Sequence, residues 1–383
     1  MNTESGATLK IKNTLKKLPS SNAELMAALF ESFIMARRGK TNTTDEFKFD
    51  VFWYENLEQL CDDIMMRNYK PSRSKAFITH NPVIREIFAA PFRDRIVHHL
   101  LYAIVAPWWD RRFIATSFSC RTGKGTDCGV EQLQKAMRKV TRNGTRQAYV
   151  IKGDLTGYFM SLRRDILFEK VIAGLKKQFP DGGWLCELCK YLWFEIIFDD
   201  PCNGARRVGK MSDWDVLPRS KSLFCQPPGR GIVIGNLTSQ LLSNIMLNEF
   251  DWWMKCKMGF KYYGRYVDDF YIVIKEEDYG YVMEVMKIVV PEYLMGMGLK
   301  LHPNKRYVQE ARKGCPFLGK VVHIDYLLPG TRFRRNAVKT IRKFVETGKN
   351  YEGVVSYVGM TKHMNAERYM KRMFDEVGGR YRY

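Results

Sequence analysis

The chain has 383 residues, with 62 Lys and Arg against 41 Asp and Glu, a formal net charge of +21 at pH 7. Its 45% hydrophobic and 13% aromatic content is that of a packed globular protein and excludes a disordered or collagen-like chain. The positive excess indicates an anionic partner. Because no apolar stretch reaches the ~20 residues of a membrane helix and the N-terminus lacks a signal-peptide pattern, we expect a cytoplasmic protein without a membrane partner.

The first 153 residues combine helical spacing of apolar residues with short runs of β-forming residues. In chain order, the pattern predicts a helix at 21–38, a polar link at 39–46, a helix at 51–68, β segments at 76–79 and 86–90, a helix at 94–109, a loop at 119–125, a helix at 130–142 and a strand at 147–152.

The remaining residues continue this mixture. We expect mainly helix to 197, a basic, Pro- and Gly-rich loop at 199–230, a helix at 237–250, strands at 260–266 and 270–275, a helix at 283–290 stopped by Pro291, strands at 306–309 and 317–324, and helices from 334 that break near Gly348 and Gly359. Without regular β-α alternation, these elements indicate an α+β fold.

Adjacent carboxylates at Asp268 and Asp269 lie between two predicted strands. Burying two unpaired negative charges there would be costly, so both should face solvent or a cation. Asp also favours turns, and these two residues alone fit a plain turn as well as a metal site. Asp154 ends another apolar strand and favours the metal site, because two-metal phosphoryl transfer uses carboxylates from separate strands around ions ~4 Å apart.

Six blocks in family order resemble reverse transcriptases. Residues 153–159 resemble the first palm motif, and Tyr-Val-Asp-Asp at 266–269 matches the Tyr-x-Asp-Asp box. The other blocks are a fingers segment at 85–98, a basic loop at 117–124, Asn304-Lys305 and a primer-grip-like Pro-Phe-Leu-Gly at 316–319. The resemblance covers about residues 76–383 and implies an RNA-directed DNA polymerase, a nucleotidyltransferase, with a right-hand fold.

Ile-Gly-Asn-Leu-Thr-Ser-Gln at 234–240 is similar to the enzymes of diversity-generating retroelements, although Val233 stands where they usually have Pro. Antiphage defence reverse transcriptases are close relatives and form the first alternative. A non-enzymatic RNA-binding protein is the second, and a group II intron maturase would need an added module.

The resemblance also implies a domain order and partners. The order is an N-terminal helical extension at 1–75, fingers at 76–153, a palm at 154–325 carrying the inserted loop at 199–230, and a helical thumb at 326–383. The partners are a structured RNA template, nascent DNA and deoxynucleoside triphosphates (dNTPs), with either a small basic accessory protein or a homo-oligomer.

Site roles follow from the same motifs. Two Mg²⁺ ions would be held by Asp154, the Leu155 carbonyl, Asp268 and Asp269, and Lys305 would protonate pyrophosphate as a general acid. The candidate nucleotide-binding residues are Arg95, Arg121, Lys124, Phe159, Ile234, Gly235 and Gln240. Ile234 replaces an amide with an aliphatic side chain that makes no directional contact, which predicts low fidelity.

Overall fold

A computed structural model describes residues 22–38, 43–80, 83–361, 364 and 366–376. The chain divides into two compact units. Of the described residues, the first unit contains those up to 114 together with 155–252 and 292–300, and the second contains those at 115–154, at 253–291 and from 301 onward. Each unit combines helices and strands, which confirms the expected α and β mixture. The predicted fingers, palm and thumb boundaries stay predictions.

The element bounds are as follows. The helices are α1 (Asn22–Arg37), α2 (Thr44–Val51), α3 (Trp53–Met65), α4 (Phe92–Asp110), α5 (Thr126–Thr141), α6 (Tyr158–Ser161), α7 (Arg164–Gln178), α8 (Trp184–Phe198), α9 (Ser212–Asp215), α10 (Leu237–Trp252), α11 (Tyr279–Lys287), α12 (Val289–Gly296), α13 (Thr331–Thr347), α14 (Tyr351–Thr361) and α15 (Glu367–Asp375). The strands are β1 (Lys75–Thr79), β2 (Arg85–Ala89), β3 (Ala148–Gly153), β4 (Arg206–Arg207), β5 (Tyr263–Tyr266), β6 (Asp269–Lys275), β7 (Tyr307–Glu310), β8 (Cys315–Phe317), β9 (Lys320–Val322) and β10 (Leu327–Pro329).

In the first unit, the predicted basic loop at 199–230 is held against a small sheet of order β2-β1-β4. The carboxylate of Glu86, which is fully buried, accepts hydrogen bonds from the Ser222 hydroxyl at 2.8 Å, the Leu223 amide at 2.6 Å and the Trp214 indole at 3.0 Å. These three donors offset the cost of burying the charge. The segment is therefore an anchored insertion with short helical turns.

The second unit contains an antiparallel sheet of order β5-β6-β3-β7. Apolar residues on one face of α5, among them Leu133 and Met137, form a buried core with Val150, Tyr271 and Phe317. Alternate residues of the strands enter this core, as expected for a sheet with one face packed on a helix. The sheet is a rigid support for the turns at its ends.

Several predicted elements are wrong in detail. The predicted polar link includes the first three residues of α2, where the Thr43 hydroxyl accepts a hydrogen bond from the Glu46 amide at 3.4 Å. Residues 39–42 of that link lie outside the described residues. Pro291 does not stop the helix predicted at 283–290. It lies in the first turn of α12, where the missing N–H of proline costs no helical hydrogen bond.

The region after Lys305 also differs. The single strand predicted at 317–324 is a hairpin of β8 and β9, because Leu318 and Gly319 both take positive φ and turn the chain, and β10 was missed. Gly348 ends α13 in the left-handed conformation, as expected, whereas Gly359 lies inside α14. Residues 377–383 of the predicted terminal helix lie outside the described residues.

No helix in the described part of the chain is both long and apolar enough to cross a bilayer.

All nine cysteines are free thiols. Cys186 and Cys189 are buried on α8, and burial raises the pKa of both thiols. The two residues of this Cys-x-x-Cys pair are therefore part of the packed core.

Candidate active site

The second unit brings the three predicted aspartates to one end of its sheet. The β3–β6 ladder starts at Ala148 opposite Lys275 and ends at Gly153 opposite Phe270. Asp154 directly follows that last pair on β3, and Asp269 directly precedes it on β6. Asp268 lies in the two-residue connection between β5 and β6. Carboxylates from two separate chain segments therefore lie at the same end of the sheet.

Glycine at 153 is required by this pairing. A Cβ atom there would lie 2.4 Å from the Phe270 ring, which is fully buried. Any side chain there would force the Phe270 ring to shift from its buried position between the two strands that carry the aspartates.

The tight connection at the hairpin tip is held by a buried arginine. Val267 has φ +56°, a left-handed conformation that is strained for a β-branched residue. Arg265 is fully buried, and its guanidinium donates to the Val267 carbonyl at 2.7 Å and to the Ser117 hydroxyl at 3.3 Å. A charged donor makes a strong hydrogen bond in a buried setting. Arg265 thus stabilises the backbone conformation of Val267, which positions Asp268 and Asp269.

Two lysines neutralise the carboxylates. Lys305 forms an ion pair with Asp154, and Lys152 lies 3.3 Å from a carboxylate oxygen of Asp269. Lys305 is 62% exposed, while Lys152 is only 15% exposed and sits 5.5 Å from the centroid of the Phe317 ring. The two cations therefore differ: Lys305 is free to move into solvent and Lys152 is enclosed.

Burial and neighbouring negative charge raise the pKa of Asp268 and Asp269. The pKa of Asp268 is raised to about 6, first by burial and then by the negative charges of Asp154 and Asp269. Burial also raises the pKa of Asp269, and Lys152 opposes that rise. The site therefore holds more negative charge than its surroundings favour, and a bound cation would relieve it.

The donor set fits Mg²⁺ in chemical type, since this ion prefers carboxylate oxygens and keeps several other oxygen ligands. Among the described residues, however, no three His, Cys, Asp or Glu side chains form a ready-made metal cluster. Lys305 pairs with one of the two carboxylate oxygens of Asp154. A cation bound there would compete with this lysine for the carboxylate.

Three of the predicted nucleotide-binding residues meet in the first unit. Phe159 and Ile234 pack on a buried cluster that includes Phe88 and Met160. The Ile234 carbonyl accepts from the Phe88 amide at 3.0 Å. Gly235 has φ +133°, and a Cβ there would lie 2.5 Å from the Phe88 carbonyl oxygen, so only glycine lets the chain pass so close to β2.

The predicted cations bond mainly to backbone. Arg95 donates to the Ala90 carbonyl at 2.9 Å, Arg121 to the Ser117 carbonyl at 3.0 Å, and Lys124 to the Ala115 carbonyl at 3.1 Å. Gln240 is exposed on α10 and Leu155 is buried. The nucleotide contacts assigned to these residues stay predictions.

Sequence reasoning missed three residues that shape these surfaces: Lys152, Arg265 and Glu86. The sequence did contain a signal for Lys152 and Arg265, because each is the one cation in an otherwise apolar strand. Alternate residues share a strand face, so Lys152 is placed on the side of Asp154 and Arg265 on the side of Tyr263. Glu86 gave no such signal, since its donors come from residues 214–223, more than 120 positions away.

No family model matches the chain. Protein YkfC of Escherichia coli strain K12 is 26% identical over 197 residues, covering 51% of this chain and 44% of that protein.

Among solved structures, telomerase from Candida albicans in complex with a TWJ fragment of telomeric RNA is 13% identical with a TM-score of 0.45, covering 82% of this chain and 57% of that one. Apo telomerase from Candida tropicalis is 12% identical with a TM-score of 0.47, covering 80% and 62%. The chain thus spans less than half of the curated relative and about three fifths of these telomerase chains. At such TM-scores the likeness does not define an activity.

Proposed function

We propose that this protein is an RNA-directed DNA polymerase, and the observation that carries the proposal is the meeting of Asp154, Asp268 and Asp269 at one end of the sheet. Each aspartate follows or precedes an apolar strand that fixes its position. The motifs around them resemble those of reverse transcriptases. Nucleotidyl transfer is the chemistry that such a carboxylate set serves.

The three aspartates would hold two Mg²⁺ ions, which would activate the primer hydroxyl and neutralise the charge on the triphosphate and pyrophosphate. This chain's own residues then have separate tasks. Lys152 balances the charge of Asp269 from within the unit. Lys305, once it leaves Asp154, is an exposed ammonium able to donate a proton to the leaving pyrophosphate.

A basic helix supports a nucleic-acid partner. The exposed residues of α13 include five cations at near-helical spacing, namely Arg332, Arg335, Lys339, Arg342 and Lys343. The opposite face packs Ala337 and Ile341 against residues of α14 and α15. A helix with one buried face and one cationic face suits contact with the phosphates of an RNA–DNA hybrid, in a salt-dependent way.

The finer assignment rests on the Ile-Gly-Asn-Leu-Thr-Ser-Gln segment, whose likeness to diversity-generating retroelement enzymes supports a low-fidelity enzyme that copies a structured RNA template. A small basic accessory protein or a second copy of the chain would complete that assembly. An antiphage defence role would use the same chemistry without a template repeat paired with a variable repeat in the neighbouring genome.

Primer extension on an RNA template with dNTPs and Mg²⁺ tests the activity. We expect extension by the wild type and a loss of at least about 10³-fold in Asp268→Asn with Asp269→Asn, since two of the three carboxylate charges of the site are removed. Asp127→Asn is the matched control, because Asp127 is an exposed carboxylate of the same unit, paired with Lys320. Extension that survives the double substitution overturns the proposed site, and RNA binding by an inactive wild type would favour the non-enzymatic alternative.

A further inference from the structure

A second charged surface lies at the far end of the β5-β6-β3-β7 sheet from the aspartates. Lys275, the last residue of β6, pairs with Ala148 at the start of β3, whereas Asp269 is the first residue of β6. Six strand residues correspond to roughly 20 Å. The two surfaces therefore belong to one rigid sheet but are separate places on it.

This far end carries an open groove of about 390 Å³. We name it the basic groove, after five exposed cations on its walls: Lys139, Arg142, Arg146, Lys261 and Lys275. Asp278 is the acidic residue among those that line it. The groove therefore has a net positive charge, in contrast to the aspartate end of the same sheet.

The cations of the basic groove are largely without acidic partners. Lys275 lies 3.6 Å from Glu277. Within the described residues, the other four have no carboxylate at salt-bridge distance. Like charges gathered without counter-charges repel one another, so an anion from outside would stabilise the arrangement.

Aromatic faces accompany these cations. Tyr281 is 59% exposed on the groove wall. Tyr262 also lines the groove, with the Lys261 ammonium 5.7 Å from its ring centroid. Exposed rings set among cations are the combination with which proteins hold single-stranded nucleic acid, because bases stack on the rings while phosphates meet the cations.

We propose that the basic groove binds a single-stranded segment of RNA at a place separate from the polymerase site. The inference rests on the proposed function, which it deepens. The RNA that supplies the template would also bind at a second site, at the end of the sheet opposite the aspartates. An acidic protein would match the charge alone, whereas the exposed ring of Tyr281 and the half-buried ring of Tyr262 beside Lys261 add the stacking faces that a nucleic acid uses.

The test measures binding without catalysis. A fluorescent oligo-uridine RNA of ~20 nucleotides is titrated with the full chain at several salt concentrations, after an excess of unlabelled RNA–DNA hybrid has filled the polymerase site. The groove variant is Arg142→Gln with Arg146→Gln. The matched control is Lys176→Gln with Lys177→Gln, which removes the same charge from exposed positions of α7 in the other unit.

We expect the groove variant to bind the RNA about tenfold more weakly and to lower the slope of log affinity against log salt by about 1.4, roughly 0.7 for each lost single-strand phosphate contact. Tyr281→Ala should weaken binding at least about fivefold with an unchanged salt slope, since it removes stacking only. The lysine control should bind as the wild type does. Thermal melting of each variant checks folding.

Equal losses in the groove and control variants would reveal a general charge effect and overturn the proposal, as would unchanged RNA binding by a folded groove variant, the result expected if the groove serves an acidic protein. Failure of the polymerase proposal looks different. In that case the wild type extends no primer, while the groove variant still loses RNA affinity.

Discussion

The two ends of the β5-β6-β3-β7 sheet show opposite ways of handling charge. At one end Asp154 and Asp269 are each paired with a lysine of the same unit. At the other end, four of the five cations of the basic groove have no acidic partner among the described residues. The first end pairs two of its three carboxylates with lysines of the same unit and keeps an excess of negative charge, whereas the second has an excess of positive charge that an anion from outside would balance.

That difference separates reaction chemistry from binding. Paired, half-buried charges at the aspartate end have fixed positions, and positions decide the rate of a group transfer. Exposed, unpaired charges in the groove have little positional order and contribute mainly affinity that depends on salt. Substitutions at the two ends should therefore affect different measurements.

After the double aspartate substitution, the largest effect is expected at Arg265, the buried arginine that stabilises the hairpin turn. Arg265→Gln should lower extension about 100-fold or more, because the Val267 carbonyl loses its charged donor and the neighbouring aspartates shift, and misplacement of about 1 Å has that effect. Steady-state primer extension measures the loss. In a Val267→Gly background, where left-handed backbone is unstrained, the same substitution should cost much less.

The matched control is Arg138→Gln, which removes another guanidinium that anchors a backbone carbonyl in the same unit, that of Ile324 at 2.6 Å. Equal losses for Arg265→Gln in the valine and glycine backgrounds would show that Arg265 serves general stability and does not hold the turn.

A pH dependence of stability is the next largest effect. The pKa of Asp268 is about 6 in the folded chain, above the value of about 3.9 expected when unfolded. The folded state therefore binds the proton more tightly between these values, so the free energy of unfolding falls as pH rises from about 4 through 6. Asp268→Asn should stabilise the metal-free protein at pH 8 by on the order of 2 kcal/mol and by little below pH 4.

Denaturant unfolding in excess chelator at both pH values provides this measurement. Asp127→Asn, at an exposed carboxylate, should show no such pH-dependent gain. A stability difference between Asp268→Asn and wild type that stays constant from pH 4 to pH 8 would contradict the raised pKa.

The exposed lysine of the aspartate end should separate turnover from metal binding. Lys305→Gln should lower the maximal extension rate about tenfold by removing the general acid. It should also reduce the Mg²⁺ concentration needed for half-maximal rate, because Asp154 no longer has a competing cation. A higher Mg²⁺ requirement in this variant would mean that the lysine assists metal binding.

The smallest effect concerns base selection. Ile234→Gln restores an amide that can hydrogen-bond, and misincorporation opposite template adenine should fall by about threefold to fivefold, a difference near 1 kcal/mol. Ile234→Leu, which stays aliphatic, is the control. Sequencing of extension products from both variants compares the error spectra, and identical spectra would remove Ile234 from the fidelity argument.

Local sequence pattern predicted the features that depend on neighbours along the chain. The two strands around Asp268 and Asp269, and the strand leading to Asp154, could be predicted because alternation and apolar runs mark strands. The pairing of β3 with β6 and β7 was not visible in that pattern. The turn at Leu318 and Gly319 was missed because Leu is rarely left-handed, and α2 because its first turn is polar.

Long-range partners explain the rest. The ion pair of Asp154 with Lys305 joins residues 151 positions apart, and the Glu86 anchor joins residues 136 positions apart. Such contacts depend on register and packing, which no local window contains. The composition predicted a basic protein. Only the fold distinguishes the cations that are paired near the aspartates from those without acidic partners in the basic groove.

Direct measurement of divalent-cation binding tests the central claim most closely. Mn²⁺, used in place of Mg²⁺, can be followed by electron paramagnetic resonance in the full chain with RNA template, primer and a non-hydrolysable dNTP. We predict tight Mn²⁺ binding by the wild type and by Asp127→Asn, and its loss in Asp268→Asn with Asp269→Asn. Equal binding by all three proteins would show that these aspartates hold no cation and would contradict the proposed site.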